Sequence, residues 1–375
     1  MIYLDYSATT PVNDEVLDSF SKACKKYSGN PNSLHKLGVE ANHLIDMATK
    51  QIEELIGITD FEIIYTSGSS EANNLAIKGV ADKYQNRGKH IITTKLEHSS
   101  IYGPLNYLVD KGYEVSYVNL DNNGHIDLEH LQSLIREDTI LVTINAVNSE
   151  LGIMQPIDEI GQILKKYPKC YFHVDLTQAM GKVRISLNSV DMASFSAHKF
   201  YGLKGIGALI KKKKIVIEPL IHGGKSTTTY RSGTPPLPLI ISLAKALRLA
   251  YIDIDSKYKY VQELSDDLRT FLTQYDKVSI NSPIDSIPHI LNISIIGVKP
   301  ESMLHALELS DVFISTQSAC ATANSISTAV YSITNNQDLA KSSIRISLSY
   351  LTTKEELCMF KKIFDKYYKE LTCLK

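Results

Sequence analysis

The chain has 375 residues, with 40 Lys and Arg against 41 Asp and Glu for a formal net charge of −1, and 43% of its residues are hydrophobic. This composition excludes a disordered or collagen-like chain, and the near-neutral charge gives no electrostatic ground for nucleic acid or an anionic membrane as the main partner. The five cysteines (Cys24, Cys170, Cys320, Cys358 and Cys373) are widely spaced without any C-x-x-C, which argues against a disulfide framework or zinc knuckle and points to a reducing compartment.

The N-terminal MIYLDYSATTPVND has neither a basic nor an apolar signal region, and no apolar run approaches the ~18 residues of a membrane span. A soluble cytoplasmic protein is expected. Strand patterns fall at 61–66, 90–94, 114–118, 139–145, 170–174, 191–196 and 206–210, with helical patterns at 71–85, 127–136 and 158–167 between them. Such alternation predicts an α/β fold, a mostly parallel sheet flanked by helices, with ligands bound beyond the carboxyl ends of the strands. The run Lys211–Lys214 reads as a solvated turn. Helical periodicity then runs over 239–275. A strand at 290–295, a helix at 301–308, a strand at 344–349 and a last helix follow, the last opened by the capping box Thr353-Lys354-Glu355-Glu356. The expected organisation is a large domain over 14–255 and a smaller α+β domain made of 1–13 and 256–375, with the long helix as hinge.

Four strand ends carry chemistry. The first runs Thr66-Ser67-Gly68-Ser69-Ser70-Glu71 into a helix, where free N–H groups, the helix dipole and the hydroxyls of Ser69 and Ser70 suit an anion; an ordinary N-cap is the plain alternative. The second ends in His173-Val174-Asp175-Leu176-Thr177-Gln178, a buried carboxylate that calls for a cation, a cap or a salt bridge. The third, Ser196-Ala197-His198-Lys199, delivers a lysine suited to Schiff-base chemistry, or one that snorkels. The fourth leads through Glu97 to His98, which could stack on a ring, move protons or serve structure alone. Gly224-Lys225-Ser226 is not a P-loop, because the required glycine five residues before Gly224 is Pro219. The spacing at Gly202–Gly207 is too weak to use by itself. Together the four ends place a phosphate cradle, a face contact, an acid for a ring nitrogen and a lysine on one sheet edge, the set that pyridoxal 5'-phosphate (PLP) requires.

With these motifs the sequence resembles the cysteine desulfurases, a branch of the class V aminotransferase superfamily with the fold-type I PLP-dependent transferase architecture. The resemblance runs from Tyr3-Leu4-Asp5-Tyr6-Ser7-Ala8-Thr9-Thr10-Pro11 through Gly29-Asn30-Pro31-Asn32-Ser33, the Ser/Gly turn, Glu97-His98, the Asp175 and Lys199 strand ends and Arg231-Ser232-Gly233-Thr234. It ends at Ser318-Ala319-Cys320 and Arg345-Ile346-Ser347-Leu348. It implies that Lys199 bonds the cofactor, His98 stacks on it and aids proton transfer, Asp175 pairs with its ring nitrogen, and Gln178 bonds its phenolic oxygen. Ser69, Ser70, Ser196 and His198 would hold the phosphate, joined by Thr234 of a second subunit, which implies a homodimer. Arg345 and Asn148 would bind the substrate, L-cysteine. Cys320, in a run of small polar residues, would be the nucleophile that takes up sulfur as a persulfide and passes it to an acceptor protein, an iron–sulfur scaffold or a thiolation enzyme. Cys24, Cys170 and Cys358 are expected to fill cores.

The chain departs from the family pattern in three places. Ser149 stands where a second Asn contacts the cofactor, Lys225–Thr228 replaces a Gly-rich loop, and Leu203 replaces a common Pro. The short stretch after the last helix suggests an acceptor other than the iron–sulfur scaffold, such as a tRNA-thiolation sulfurtransferase. Beside cysteine desulfuration stand a selenocysteine lyase or another class V enzyme, and, outside enzymes, a degenerate scaffold or sulfur carrier.

Overall fold

The apolar runs pair into one seven-stranded sheet in the computed structural model, which describes residues 1–316 and 326–373. Cys320 lies outside the described residues. The order across the sheet is Phe61–Thr66, Gly207–Lys212, Met192–Ser196, Tyr171–Asp175, Thr139–Asn145, His90–Thr93 and Glu114–Tyr117. Gly207–Lys212 is antiparallel to both neighbours and the remaining pairs are parallel, so the other six strands end at one edge. The four strand ends of interest lie on that edge.

Both faces of the sheet are covered, as a mainly parallel sheet requires. Side chains alternate along each strand. Ile63, Tyr65, Val142, Ile144 and Phe172 enter a core with helices Lys36–Ile56 and Leu237–Tyr251. Ile64, Ile91, Leu141 and Leu209 pack instead with Leu75 and Val80 of Ser69–Tyr84 and Leu105 of Ser99–Val109. A third core joins Leu291, Ile293, Ile344 and Ile346 to Leu268, Phe360 and Phe364 of helices Ile254–Leu272 and Lys354–Cys373. Its strands Ser343–Ser347, Ile290–Ile295 and Val278–Ile280 form an antiparallel sheet, and Arg345 alternates with the apolar pair Ile344 and Ile346. Ile2–Tyr3 pairs in parallel with Val312–Phe313, and Ile2 and Leu4 belong to this third core.

The helix expected over 239–275 is two helices, Leu237–Tyr251 and Ile254–Leu272. Asp253 between them adopts φ 52°, which breaks the helical ladder although the apolar spacing continues across it. The capping box forms, with Thr353 N–H donating to Glu356 Oε2 at 2.9 Å and Glu356 N–H to Thr353 Oγ1 at 3.1 Å. Of the three cysteines expected in cores, Cys170 is buried but Cys24 and Cys358 are exposed, because they sit on the outward faces of amphipathic helices. No helix among the described residues is long and apolar enough to cross a membrane.

Candidate active site

The turn after Phe61–Thr66 opens helix Ser69–Tyr84, which turns free N–H groups and the positive end of the helix dipole toward the sheet edge. Ser69 N–H donates to Ser196 Oγ at 2.6 Å, and Ser196 Oγ donates to Ser69 Oγ at 3.0 Å. Glycine permits this approach. A Cβ on Gly207 would lie 2.5 Å from Phe195 O and 2.7 Å from Gly68 Cα, so the glycine spacing too weak to stand as a motif serves where two backbones touch.

Asp175 ends its strand buried. Its Oδ1 accepts from Thr177 N–H and its Oδ2 from Asn73 Nδ2, each at 2.8 Å. Both donors are neutral, so a cationic ring nitrogen has a place against the carboxylate. The same Asn73 nitrogen donates to Ser100 Oγ, which lies 2.9 Å from His98 Nδ1. His98 also caps helix Ser99–Val109 by accepting Ser100 N–H at Nδ1, 3.1 Å away. That cap puts the proton of the neutral ring on Nε2. Burial holds the imidazole below its ordinary value despite the opposing pull of Asp175.

Lys199 closes a short turn beyond Met192–Ser196 and donates to the carbonyls of Ser7 and Ala8 at 2.7 and 2.8 Å. Gln178 Nε2 donates to the same Ser7 carbonyl at 2.9 Å. The N-terminal segment is stitched to this turn, since Thr10 N–H and Oγ1 both donate to His198 O and Tyr201 N–H donates to Thr10 Oγ1. Tyr201 sits at φ 65°, an unusual conformation for an aromatic residue, and its hydroxyl is tied to Ser349 Oγ. His198 Nδ1 lies 3.1 Å from Thr9 Oγ1, and burial, reinforced by Lys199, Lys204 and Lys182, pushes its imidazole down to about 4.

Arg345 reaches these groups from the small sheet. Its Nη2 donates to Asp5 Oδ1 and its Nη1 to Ser149 O, each at 2.9 Å, while Nε is buried with no hydrogen-bond partner. A guanidinium has five N–H donors, so donors remain for a bidentate carboxylate. Ser315, five residues before Cys320, forms a backbone bridge with Arg345.

A cleft of about 560 Å³ brings together Ser69, Ser70, His98, Ser149, Asp175, Gln178, Ser196, His198, Lys199 and Arg345. Asn148 does not line it. Its Nδ2 donates to Leu96 O and its Oδ1 accepts from the N–H groups of Glu150 and Leu151, which ties the amide between the Leu96 segment and its own turn. Asn145 faces the cleft instead. Thr234 is exposed and outside the lining of its own chain's cleft. Sequence reasoning missed Asn73, Asp5, Ser7, Thr177 and Lys204. Asp5 and Ser7 lay in a recognised motif without a role, whereas Asn73 and Lys204 carried no signal beyond nearness to one.

The aminotransferase class-V family model matches residues 2–360. The chain belongs to the class-V aminotransferase family. A NifS/IcsS protein homolog of Lactobacillus delbrueckii subsp. bulgaricus is 40% identical over 379 residues, covering 99% of this chain and 98% of that one. Cysteine desulfurase IscS of Pectobacterium carotovorum is 43% identical over 365 residues, covering 95% and 90%. A solved NifS-like protein superposes with a TM-score of 0.93 at 34% identity, covering 99% of this chain and all of that one. The class-V members of this group are PLP-dependent. The residues present fit that cofactor: a helix N-terminus ringed by Ser69, Ser70 and Ser196 for the phosphate, Asp175 with only neutral donors for the ring nitrogen, and the Lys199 amine for the aldehyde carbon.

Proposed function

We propose that this class-V chain is a cysteine desulfurase, which takes sulfur from L-cysteine, releases L-alanine and holds the sulfur on Cys320 before passing it to an acceptor protein. The observation that carries this reading is one cleft in which Lys199, Asp175 and an anion cradle on a sheet edge face the Arg345 guanidinium. When bound, PLP supplies an electron sink for the charge that develops at the substrate Cα. Asp175 would hold its ring nitrogen, His98 would cover its ring face, and Gln178 and Ser149 would face its phenolic oxygen. Ser69, Ser70, Ser196 and His198 would hold its phosphate, and Lys199 would anchor it. Arg345 orients the substrate carboxylate through its uncommitted N–H groups.

The Cys320 thiolate bonds to the substrate sulfur, and the C–S bond breaks with its electron pair left on the carbon fragment. That fragment takes up a proton and leaves as alanine, and Cys320 keeps the persulfide. Ser315, five residues before Cys320 in the sequence, pairs with Arg345. In this reading the unit 14–255 bears the cofactor, and 1–13 with 256–375 bears the clamp and the thiol. Thr234, exposed on its own chain, meets the phosphate of a second copy in a homodimer. The acceptor is an iron–sulfur scaffold or a thiolation enzyme.

The test is Cys320→Ala in PLP-loaded protein. The variant should keep the visible absorbance of the bound cofactor yet form no persulfide and release no sulfide from L-cysteine. Wild-type turnover would refute the role of Cys320.

A further inference from the structure

One buried cation beside the cleft has no part in the steps above. Lys182 is 9% exposed, lies four residues beyond Gln178 in the same turn segment, and donates from Nζ to Gln178 Oε1 at 2.7 Å. A buried ammonium ordinarily meets a carboxylate, but here the partner is a neutral amide. Burial, then the Lys199 and Arg345 cations, push the Lys182 amine down to about 7. The cost of burying this group is therefore real, and its position asks for a function.

The Gln178 amide supplies one. Its Oε1 accepts from Lys182 Nζ and, at 3.4 Å, from Ser7 Oγ, while Nε2 spends one hydrogen on Ser7 O. An amide nitrogen carries two hydrogens, and Gln178 lines the cleft, so the second is available there. Rotating the amide by half a turn would bring Oε1 against the Ser7 carbonyl and the amide N–H groups against the Lys182 ammonium, and both contacts would be lost. In its ammonium form Lys182 also polarises the amide through Oε1 and strengthens its N–H as a donor. We infer that Lys182 is a positioning residue of the PLP site, acting through Gln178, which it locks and polarises so that an N–H donor faces the cofactor's oxygen. The inference rests on the PLP reading above.

The test compares PLP-loaded wild type with Lys182→Met, Lys182→Arg, Gln178→Leu and the Lys182→Met/Gln178→Leu double variant. The readouts are the visible absorption maximum, the PLP dissociation constant, and kcat and KM for L-cysteine. Lys182→Met should shift the maximum and weaken PLP binding about tenfold, the scale of one hydrogen bond from a charged donor. Lys182→Arg should restore both, and the double variant should be no worse than Gln178→Leu alone. A Lys182→Met protein with wild-type maximum and affinity would overturn the inference, as would losses that multiply in the double variant. If Lys182→Met does not fold, Lys182→Gln, a neutral donor of similar length, carries the same comparison, and wild-type values there would overturn the inference too. Wild type that binds no PLP would instead sink the cofactor reading, so the two failures are distinct.

Discussion

Glu97, the residue before His98, gives a direct physical test of the burial beside the site. Its side chain is buried, Oε1 accepts from Thr94 Oγ1 at 2.6 Å, and Oε2 has no hydrogen-bond partner. Burial raises its carboxyl from an ordinary 4.5 to about 8, outweighing hydrogen bonds from Thr94 and Asn145. The sign of the effect follows from counting protons. Between pH ~4.5 and ~8 the unfolded chain has lost this proton and the folded chain has kept it. Stability therefore falls as pH rises through that window, by about 1.4 kcal/mol per pH unit and on the order of 5 kcal/mol in all. Below and above the window the contribution is flat. Glu97→Gln keeps the shape and stays neutral throughout. Its urea-unfolding free energy should match wild type near pH 4, gain steadily on it up to pH 8, and then run parallel. The difference between the two proteins cancels the other titrating groups, so its slope reports Glu97 alone. A difference that does not change with pH would refute the reasoning, because it would mean that folded and unfolded chains ionise this carboxyl together.

Two other substitutions probe the clamp and the carboxylate. Asp5→Asn strips the Arg345 guanidinium, whose side chain is 2% exposed, of its anionic partner. Breaking such a pair costs about 3 kcal/mol, at the low end because Asp5 keeps some solvent contact; thermal unfolding should drop, and added L-alanine should restore part of the loss through its carboxylate, whereas an unchanged midpoint would show that Asp5 does not hold the arginine. Asn73→Leu removes the neutral donor on Asp175 Oδ2. A hydrogen bond to a charged group is worth about 1.5–3 kcal/mol, so retention of PLP on dialysis should weaken at least tenfold, and unchanged retention would mean that the Thr177 N–H suffices.

Much of this architecture is legible in the amino acids, for identifiable reasons. The seven strands of the large sheet appear within a few residues of where β-rich runs are bounded by turns, because buried parallel strands read as continuous apolar segments. The side chains at their carboxyl ends are legible because His98, Asp175 and Lys199 break that apolar pattern. What escapes notice is of another kind. Asn73 sits inside a helix, where an amide looks like part of a solvated face until the helix is docked. Ser7 acts on Lys199 and Gln178 through its carbonyl, which every residue possesses and no residue type announces. Asn148 looks available for a ligand, but its amide joins the Leu96 segment to the turn that it opens. The break at Asp253 is invisible for a similar reason, since neither Gly nor Pro marks it and the apolar spacing runs through.

The stitching of residues 2–13 across the cleft has a consequence for the order in which this protein is made. Ile2 and Tyr3 pair with Val312 and Phe313, Ser7 N–H donates to Ser347 Oγ, and Asp5 meets Arg345, 340 positions along the chain. Synthesis proceeds at about 5–20 residues per second, so residues 2–5 wait roughly 20–70 seconds for the partners that fix them. By then every strand of the large sheet has long left the ribosome. Competence is the last property the chain acquires. A nascent chain that stops between Lys212 and Arg345 has all seven of those strands and a cradle for an anion, yet no Arg345 to pair with Asp5 and no guanidinium to receive a substrate.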